Sequence, residues 1–329
     1  MTPLTLRTAQ PGEAAEVARL ILSANPHLEE RIQRFQAAGR RWHDATPVVG
    51  EAEGRLCSCA VIFRRQIWAG SNQAAFGGIG AVCTQPAARG RGYATRVVQY
   101  CEDLLAAEGI RLAVLFANIV EFYERLGWVR QPEDEVEFPW TPSERYSSES
   151  PYDLRPFGPN VSQPALAKIY EQTPECAGGA LVRSEGVWRE YRTWQREELD
   201  LFWIACVQEM PVAYVRGRRI AHGLFLQEAT SLPEHARALL PLLNQQVKVA
   251  SPAARVTFRS ILSRRHPLAC ILDGMGAVWR VTSPQTSMLM SKELPSAGGH
   301  RRVATALTGE HFRTGLPWQP RSWWAADRF

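Results

Sequence analysis

Residues 3–8 alternate apolar and polar side chains, as a half-buried strand does, and Pro11 opens a segment, PGEAAEVARLILSA, whose apolar positions recur at helical spacing. The pattern predicts a second helix over 27–36. It then changes to strand-like runs at 46–52 and 55–68, separated by Glu53-Gly54, a hairpin signal. Residues 74–84, AAFGGIGAVCT, are almost wholly apolar and small. A turn rich in glycine and arginine follows, then a helical stretch, TRVVQYCEDLLAAEG, an apolar strand at 111–118, and a short amphipathic segment, IVEFYERLGW. VEFPW at 136–140 is expected to close this sheet. TPSERYSSESP at 141–151 has the composition of a linker.

Beyond 151 the same order of elements recurs. A strand at 152–158 is followed by helical segments at 164–173 and 184–194, then by strands at 199–207, 211–217 and 218–230. LPEHARALLPLLNQQVKVA reads as one helix over 232–250, and RVTFRSIL, HPLACILDGMGA and VWRVTS complete the pattern. The repeat is one of element order, not of sequence. The pattern predicts a mixed α/β chain divided into 1–140, a linker at 141–151, 152–295, and a tail at 296–329.

The most informative residues join the apolar strand ending at Thr84 to the helix after Ala94. Arg89-Gly90-Arg91-Gly92-Tyr93-Ala94 aims successive backbone N–H groups and a helix N-terminus at one point, which suits a pyrophosphate. Gly92 lets the backbone approach a ligand with no Cβ in the way. Other phosphate loops fit less well. No Lys-Ser or Lys-Thr completes a Walker loop, and Thr95 stands where a dinucleotide fingerprint needs its third glycine.

Arg89-x-x-Gly92-x-Ala94 resembles the acyl-CoA signature of the GNAT N-acetyltransferases. About 30 residues on, Phe122-Tyr123-Glu124-Arg125-Leu126-Gly127-Trp128 resembles that family's Tyr-x-x-x-Gly-Phe element, in which the phenol protonates the departing CoA sulfur. The tandem order of elements narrows the resemblance to the Eis-like (enhanced intracellular survival) branch. There a competent GNAT domain is followed by a degenerate one. The GAV strand before the loop resembles the branch's own, as does the five-residue interval from Asn118 to Tyr123. The chain departs from the branch at its end, where 296–329 is too short for a third domain.

The resemblance implies two tandem GNAT-like domains, the second degenerate, and an acyl-CoA-dependent N-acyltransferase. Acetyl-CoA is the default donor, with a longer acyl chain as an alternative, and the acceptor is a primary amine of a small molecule or peptide. It implies that Val82, Cys83 and Thr84 line the pantetheine and thioester, with Cys83 a packed thiol. Arg89 through Ala94 hold the pyrophosphate, Asn118 binds the cofactor, and Tyr123 is the general acid. A β-bulge in 79–84 would splay that strand from its neighbour and free backbone N–H groups for the thioester. No carboxylate stands in Ala75–Ala81 to act as base. The glycines at 77, 78 and 80 are expected to leave space there, and in the Eis-like branch the C-terminal carboxylate enters the site, which points to Phe329. Trp318, Trp323 and Trp324 make the tail apolar enough to dock. The rival class is a non-catalytic CoA-sensing or protein-binding module, which would keep the loop without needing Tyr123.

Composition narrows the field further. With 45% hydrophobic and 22% charged residues the chain has ordinary globular usage. A formal charge of +5, spread without a Lys/Arg run of five, does not describe a nucleic-acid binder. No apolar stretch approaches the roughly 20 residues of a membrane span. Seven cysteines without CxxC or zinc spacing, and seven histidines without an HExxH pair, predict no metal site and a reducing, cytoplasmic setting. A homo-oligomer is left open.

Overall fold

The computed structural model of the chain describes residues 3–26, 29, 33, 45–69, 72–131, 135–148, 150–158, 161, 163–172, 178–185, 188, 201–250, 255–261, 266–278, 280–282 and 289–295. Most of the helix expected over 27–36, most of that at 184–194, and the whole tail with Phe329 lie outside the described residues.

The first half contains β1 (Thr5–Thr8), α1 (Ala14–Ala24), β2 (Ala45–Ala52), β3 (Arg55–Ala69), β4 (Asn72–Thr84), α2 (Tyr93–Ala107), β5 (Leu112–Phe116), α3 (Val120–Glu124), β6 (Val129–Arg130) and β7 (Glu135–Trp140). The second half contains β8 (Asp153–Pro156), α4 (Gln163–Glu171), β9 (Gly178–Leu181), β10 (Phe202–Val207), β11 (Met210–Ile220), β12 (Gly223–Ser231), α5 (Leu239–Ala250), β13 (Val256–Ile261), α6 (Pro267–Gly274), β14 (Arg280–Thr282) and β15 (Leu289–Glu293).

Local chemistry explains several of these elements. Glu53 and Gly54 both take positive φ, 54° and 70°, and bring Ala52 opposite Arg55. That two-residue turn matches the twist of a hairpin. The second helix expected in one piece over 232–250 begins instead as a 3₁₀ segment, Pro233–Ala238, kinked at His235, and becomes α-helical at Leu239. The strand expected over 218–230 also divides. Arg218–Ile220 belong to β11, and β12 starts at Gly223.

The strands form two mixed sheets. One runs β1-β2-β3-β4-β5-β15-β6 with β9 on β3, the other β14-β7-β13-β12-β11-β10-β8. VEFPW, expected to close the first sheet, lies in the second: β7 pairs antiparallel with both β13, Phe138 opposite Phe258, and β14, Val136 opposite Val281. Its place in the first sheet is taken by β15, which pairs with β5, Met290 opposite Leu115, and with β6, Ser291 opposite Val129. The first half therefore places β7 in the second sheet, and the second half places β9 and β15 in the first. Alternation in VEFPW is the same on either side, so pattern alone does not choose its partner.

Packing follows the sheets. α2 covers the first sheet with Val97, Val98, Cys101 and Leu105, and α1 covers it elsewhere with Val17, Leu20 and Ile21 against Cys59 and Cys83. Leu239, Leu242, Leu243 and Val247 of α5 fill the core of the second sheet. A buried polar cluster links the two sheets where β9 leaves β3. Arg183 and Arg216 lie 2.7 Å and 3.2 Å from the Glu228 carboxylate, which also accepts from Tyr214 Oη at 2.9 Å.

The sheet is tight where α2 crosses it. A Cβ built on Gly77 would come within 2.3 Å of Leu105 Cδ1, so this glycine serves close helix-to-sheet packing and does not leave open space. Gly77→Val is expected to cost about 1–3 kcal/mol or more through overpacking, read as a lowered denaturation midpoint. Adding Leu105→Ala to Gly77→Val should return part of that loss.

Candidate acyl-transfer site

β4 and β5 are parallel neighbours that meet over two register pairs, Gly77 with Ala113 and Gly78 with Val114. β4 continues to Thr84 and β5 to Phe116, so the two strands part beyond Gly78. The register of β4 on β3 slips where they part, from Val61 opposite Gly80 to Cys59 opposite Cys83. Ala81 there takes φ 51°. That value is uncommon outside glycine and marks the expected bulge. From Ile79 to Thr84 the β4 edge facing β5 has no ladder partner among the described residues.

Past Thr84 a 3₁₀ turn, Pro86–Ala88, leads into the glycine loop, and Gly92 caps α2 with φ 74°. Gly90 takes φ 76°. Nothing lies within 4 Å of a Cβ built on Gly92, so the helix N-terminus opens onto free space. Arg89 is tied back by its Nε to the Thr84 carbonyl at 3.3 Å. The Tyr93 ring packs beneath the loop with Leu4, Ala52 and Ala88, a structural role.

Tyr123 stands at the end of α3, on the far side of the parting. It is 9% exposed. Its ring meets Phe122 at 4.8 Å and Trp128 at 6.2 Å, both edge-on. Burial pushes the phenol up to about 12, so it holds its proton throughout the neutral range. Cys83 Sγ lies 3.3 Å from Cys59 Sγ and 3.5 Å from the Leu20 carbonyl under α1. That side chain is a packed thiol. Its hydrogen bond to Cys83, together with burial, holds the Cys59 thiol well above its usual range.

One cavity of about 900 Å³ joins these parts. Val82, Cys83, Thr84, Arg89, Gly90, Gly92, Tyr93, Ala94, Asn118 and Tyr123 all line it. Of the site residues expected from sequence, Arg91 is exposed and does not line the cavity. Phe329 lies outside the described residues. Sequence reasoning missed other lining residues, Ala24 and Asn25 at the end of α1 and Phe116, Ile119 and Phe122. Ile119 is 64% exposed at the cavity's rim. The available signal was the apolar IVEF after Asn118, which reads as ordinary helix face. Among the described residues no group of three or more His, Cys, Asp or Glu could hold a metal, and no helix is long and apolar enough to cross a membrane.

The second sheet shows how differently a similar layout can be finished. β12 and β13 are parallel and pair from Leu224 to Leu226, then part. There the Ala229 carbonyl is taken by His266 Nε2 at 2.8 Å, and the loop position holds Leu232-Pro233-Glu234.

A sheet split by a bulge, a glycine loop opening a helix at the split, and a tyrosine across it are the parts that the resemblance to the GNAT N-acetyltransferases leads one to expect. Residues 5–130 match the acetyltransferase (GNAT) domain family, and the chain carries a domain of that family. The whole fold is similar to a conserved Enterococcus faecalis protein described as a probable N-acyltransferase (TM-score 0.71, 16% identity, 89% of this chain and 73% of that one). It is also similar to a GCN5-related N-acetyltransferase from Anabaena variabilis (TM-score 0.65, 15% identity, 89% and 73%). Eis1 from Mycobacterium abscessus is a third such structure (TM-score 0.57, 15% identity, 89% and 72%). At these identities the likeness shows the fold. No curated protein matches the chain.

The loop assignment is tested directly. Gly92→Glu puts a side chain and a negative charge where the helix N-terminus opens. Calorimetry with acetyl-CoA should then show binding largely lost, with the far-ultraviolet circular dichroism of the protein retained; parental affinity would remove the loop from the site.

Proposed function

We propose that the chain transfers an acyl group, acetyl by default, from acyl-CoA to a primary amine of a small molecule or peptide. The observation that carries this reading is that one cavity is lined jointly by the loop, the bulged strand and Tyr123. In this reading the pyrophosphate sits at the amides of Gly90 to Ala94 with Arg89 beside it. Val82 and Thr84 present backbone groups along the parted edge to the pantetheine and the thioester carbonyl, and Asn118 lines the opposite bank. The amine nitrogen attacks the carbonyl carbon, the C–S bond breaks, and the departing thiolate takes the Tyr123 proton. The amine proton leaves to solvent or to a base outside the described residues.

Burial bears on the acid in two ways. It keeps the phenol protonated, and it also makes tyrosinate costly, so donation depends on close placement against the sulfur. With the phenol near 12, ionisation of Tyr123 does not limit turnover below about pH 11. Any alkaline loss of rate at lower pH therefore belongs to another group.

The reading is tested by incubating acetyl-CoA with tyramine, spermidine, an aminoglycoside and a short peptide amine, and detecting free CoA thiol. Tyr123→Phe should keep acetyl-CoA affinity while kcat falls by roughly 10²-fold. No CoA release with any amine, despite tight acetyl-CoA binding, would favour a CoA-sensing module. The apolar lining residues Ala24, Phe116, Ile119 and Phe122 support a second reading, a longer acyl group, and hexanoyl-CoA outpacing acetyl-CoA would establish it. The filled gap at Ala229 and the glycine-free turn at 232–234 support a single CoA per chain. A calorimetric stoichiometry of two would overturn that.

A further inference from the structure

Tyr123 stands on five residues of helix, too short to hold its own geometry in water. The chain then makes a tight turn. Leu126 N and Trp128 N both donate to the Tyr123 carbonyl, at 2.9 Å and 3.1 Å, and Gly127 takes φ 85°. This turn is anchored from two other elements. Trp128, whose ring faces Tyr123, donates from Nε1 to Glu102 Oε1 on α2 at 2.8 Å. The other carboxylate oxygen, Oε2, receives Lys292 Nζ at 2.6 Å, and the same ammonium donates to the Leu126 carbonyl at 2.7 Å. Lys292 belongs to β15, the strand that enters this sheet from the second half of the chain.

We propose that Lys292 is a positioning residue for Tyr123. With Glu102 it fixes the turn from Tyr123 to Trp128, so the second half of the chain completes the catalytic site of the first. This rests on the reading of Tyr123 as proton donor. The physical reason is placement. The ammonium bridges α2 and the turn on the mostly buried side, with Glu102 9% and Lys292 22% exposed as side chains. A misplacement of about 1 Å in such a site can cost roughly 10²-fold in rate. The other charged groups of the turn, Glu121, Glu124 and Arg125, are exposed, and Glu124 faces Arg130 at 3.8 Å. Tyr123 shares its buried core cluster with Val97, Val98 and Leu105 of α2 and with the Cys101 thiol, which burial pushes up.

Removing one partner of a largely buried ion pair strands the other, so Lys292→Met alone confounds folding with placement. The test therefore uses the neutral pair Glu102→Gln with Lys292→Met, in which the glutamine oxygen still accepts from Trp128, and Lys292→Arg as the conservative variant. Tyr123 ionisation is read as the difference in tyrosinate absorbance between each protein and its own Tyr123→Phe derivative. Kinetics use acetyl-CoA with the panel amine that is turned over. In the neutral pair the loosened turn should admit water, moving the Tyr123 midpoint from about 12 toward the ordinary phenol value of about 10. There kcat should fall roughly tenfold or more with acetyl-CoA affinity unchanged. Lys292→Arg should stay near the parent in both. An unmoved midpoint in the neutral pair overturns the proposal, and so does a moved midpoint with parental kcat. So does an equal fall in kcat when the pair is placed in the Tyr123→Phe protein, because the effect would not then pass through the phenol. Parental turnover in Tyr123→Phe itself would end the proton-donor reading separately, whatever the titration shows.

Discussion

Two parallel strands that touch over only two residue pairs cannot hold each other in place, and the site depends on holding them apart. β4 and β5 meet at Gly77 and Gly78 and then diverge. What keeps them fixed comes from their outer edges. β3 pairs with β4 across the bulge, and β15 pairs with β5 from Leu289 to Glu293. Without an outer partner, the end of β5 beyond Val114 would have neither edge hydrogen-bonded, and unpaired buried backbone is costly. The exchanged strand is therefore the constraint on which the parting, and with it the cavity, rests.

The same constraint decides how the halves are joined. Because β7 lies in the second sheet and β15 in the first, neither sheet is complete from one half of the sequence. The contacts between the halves are accordingly those of an interior. Ladder hydrogen bonds and buried apolar side chains cross between them, and the Glu228 cluster links the two sheets. Arg183 leads out of β9, which pairs with β3, yet its charge is met by Glu228 on β12. Two buried arginines share this one carboxylate, so losing Glu228 takes away the counter-charge that both guanidinium groups face, whereas losing either arginine still leaves a balanced pair. Such a cluster fixes how the sheets meet more than it adds to their stability.

Much of the site was legible in the chain because its signals are local. A strand, a glycine turn and a helix within fifteen residues need no distant partner to be recognised. The bulge follows from the same short stretch. The tyrosine follows from a spacing. What stayed hidden is non-local. Nothing in VEFPW distinguishes pairing with β5 from pairing with β13, and Leu289–Glu293 is five residues with only two strongly apolar positions, too weak a pattern to stand out. Gly77 looked like room for a carboxylate because its tight neighbour, Leu105, lies a full helix away in sequence. Arg89 and Arg91 looked equivalent; both are exposed, and the turn's geometry brings only Arg89 into the lining of the cavity.

The second sheet is laid out like the first, with a parallel pair that parts, but Leu232-Pro233-Glu234 stand where the first has its glycine loop; what holds that split in shape? Its own split shows part of the answer. The carbonyl left by the parting of β12 from β13 is occupied by His266, whose Nδ1 in turn accepts from Leu268 N at 3.0 Å and so starts α6. Both ring nitrogens serve structure, in the tautomer with the proton on Nε2. The gap has become an internal joint. The rest of the answer lies in where the chain goes next, since α6 and β14 lead on to β15. Keeping the second sheet in register delivers that strand between β5 and β6, with Met290 buried opposite Leu115 and Lys292 at the turn behind Tyr123. The frame of the first cavity therefore extends into the second sheet.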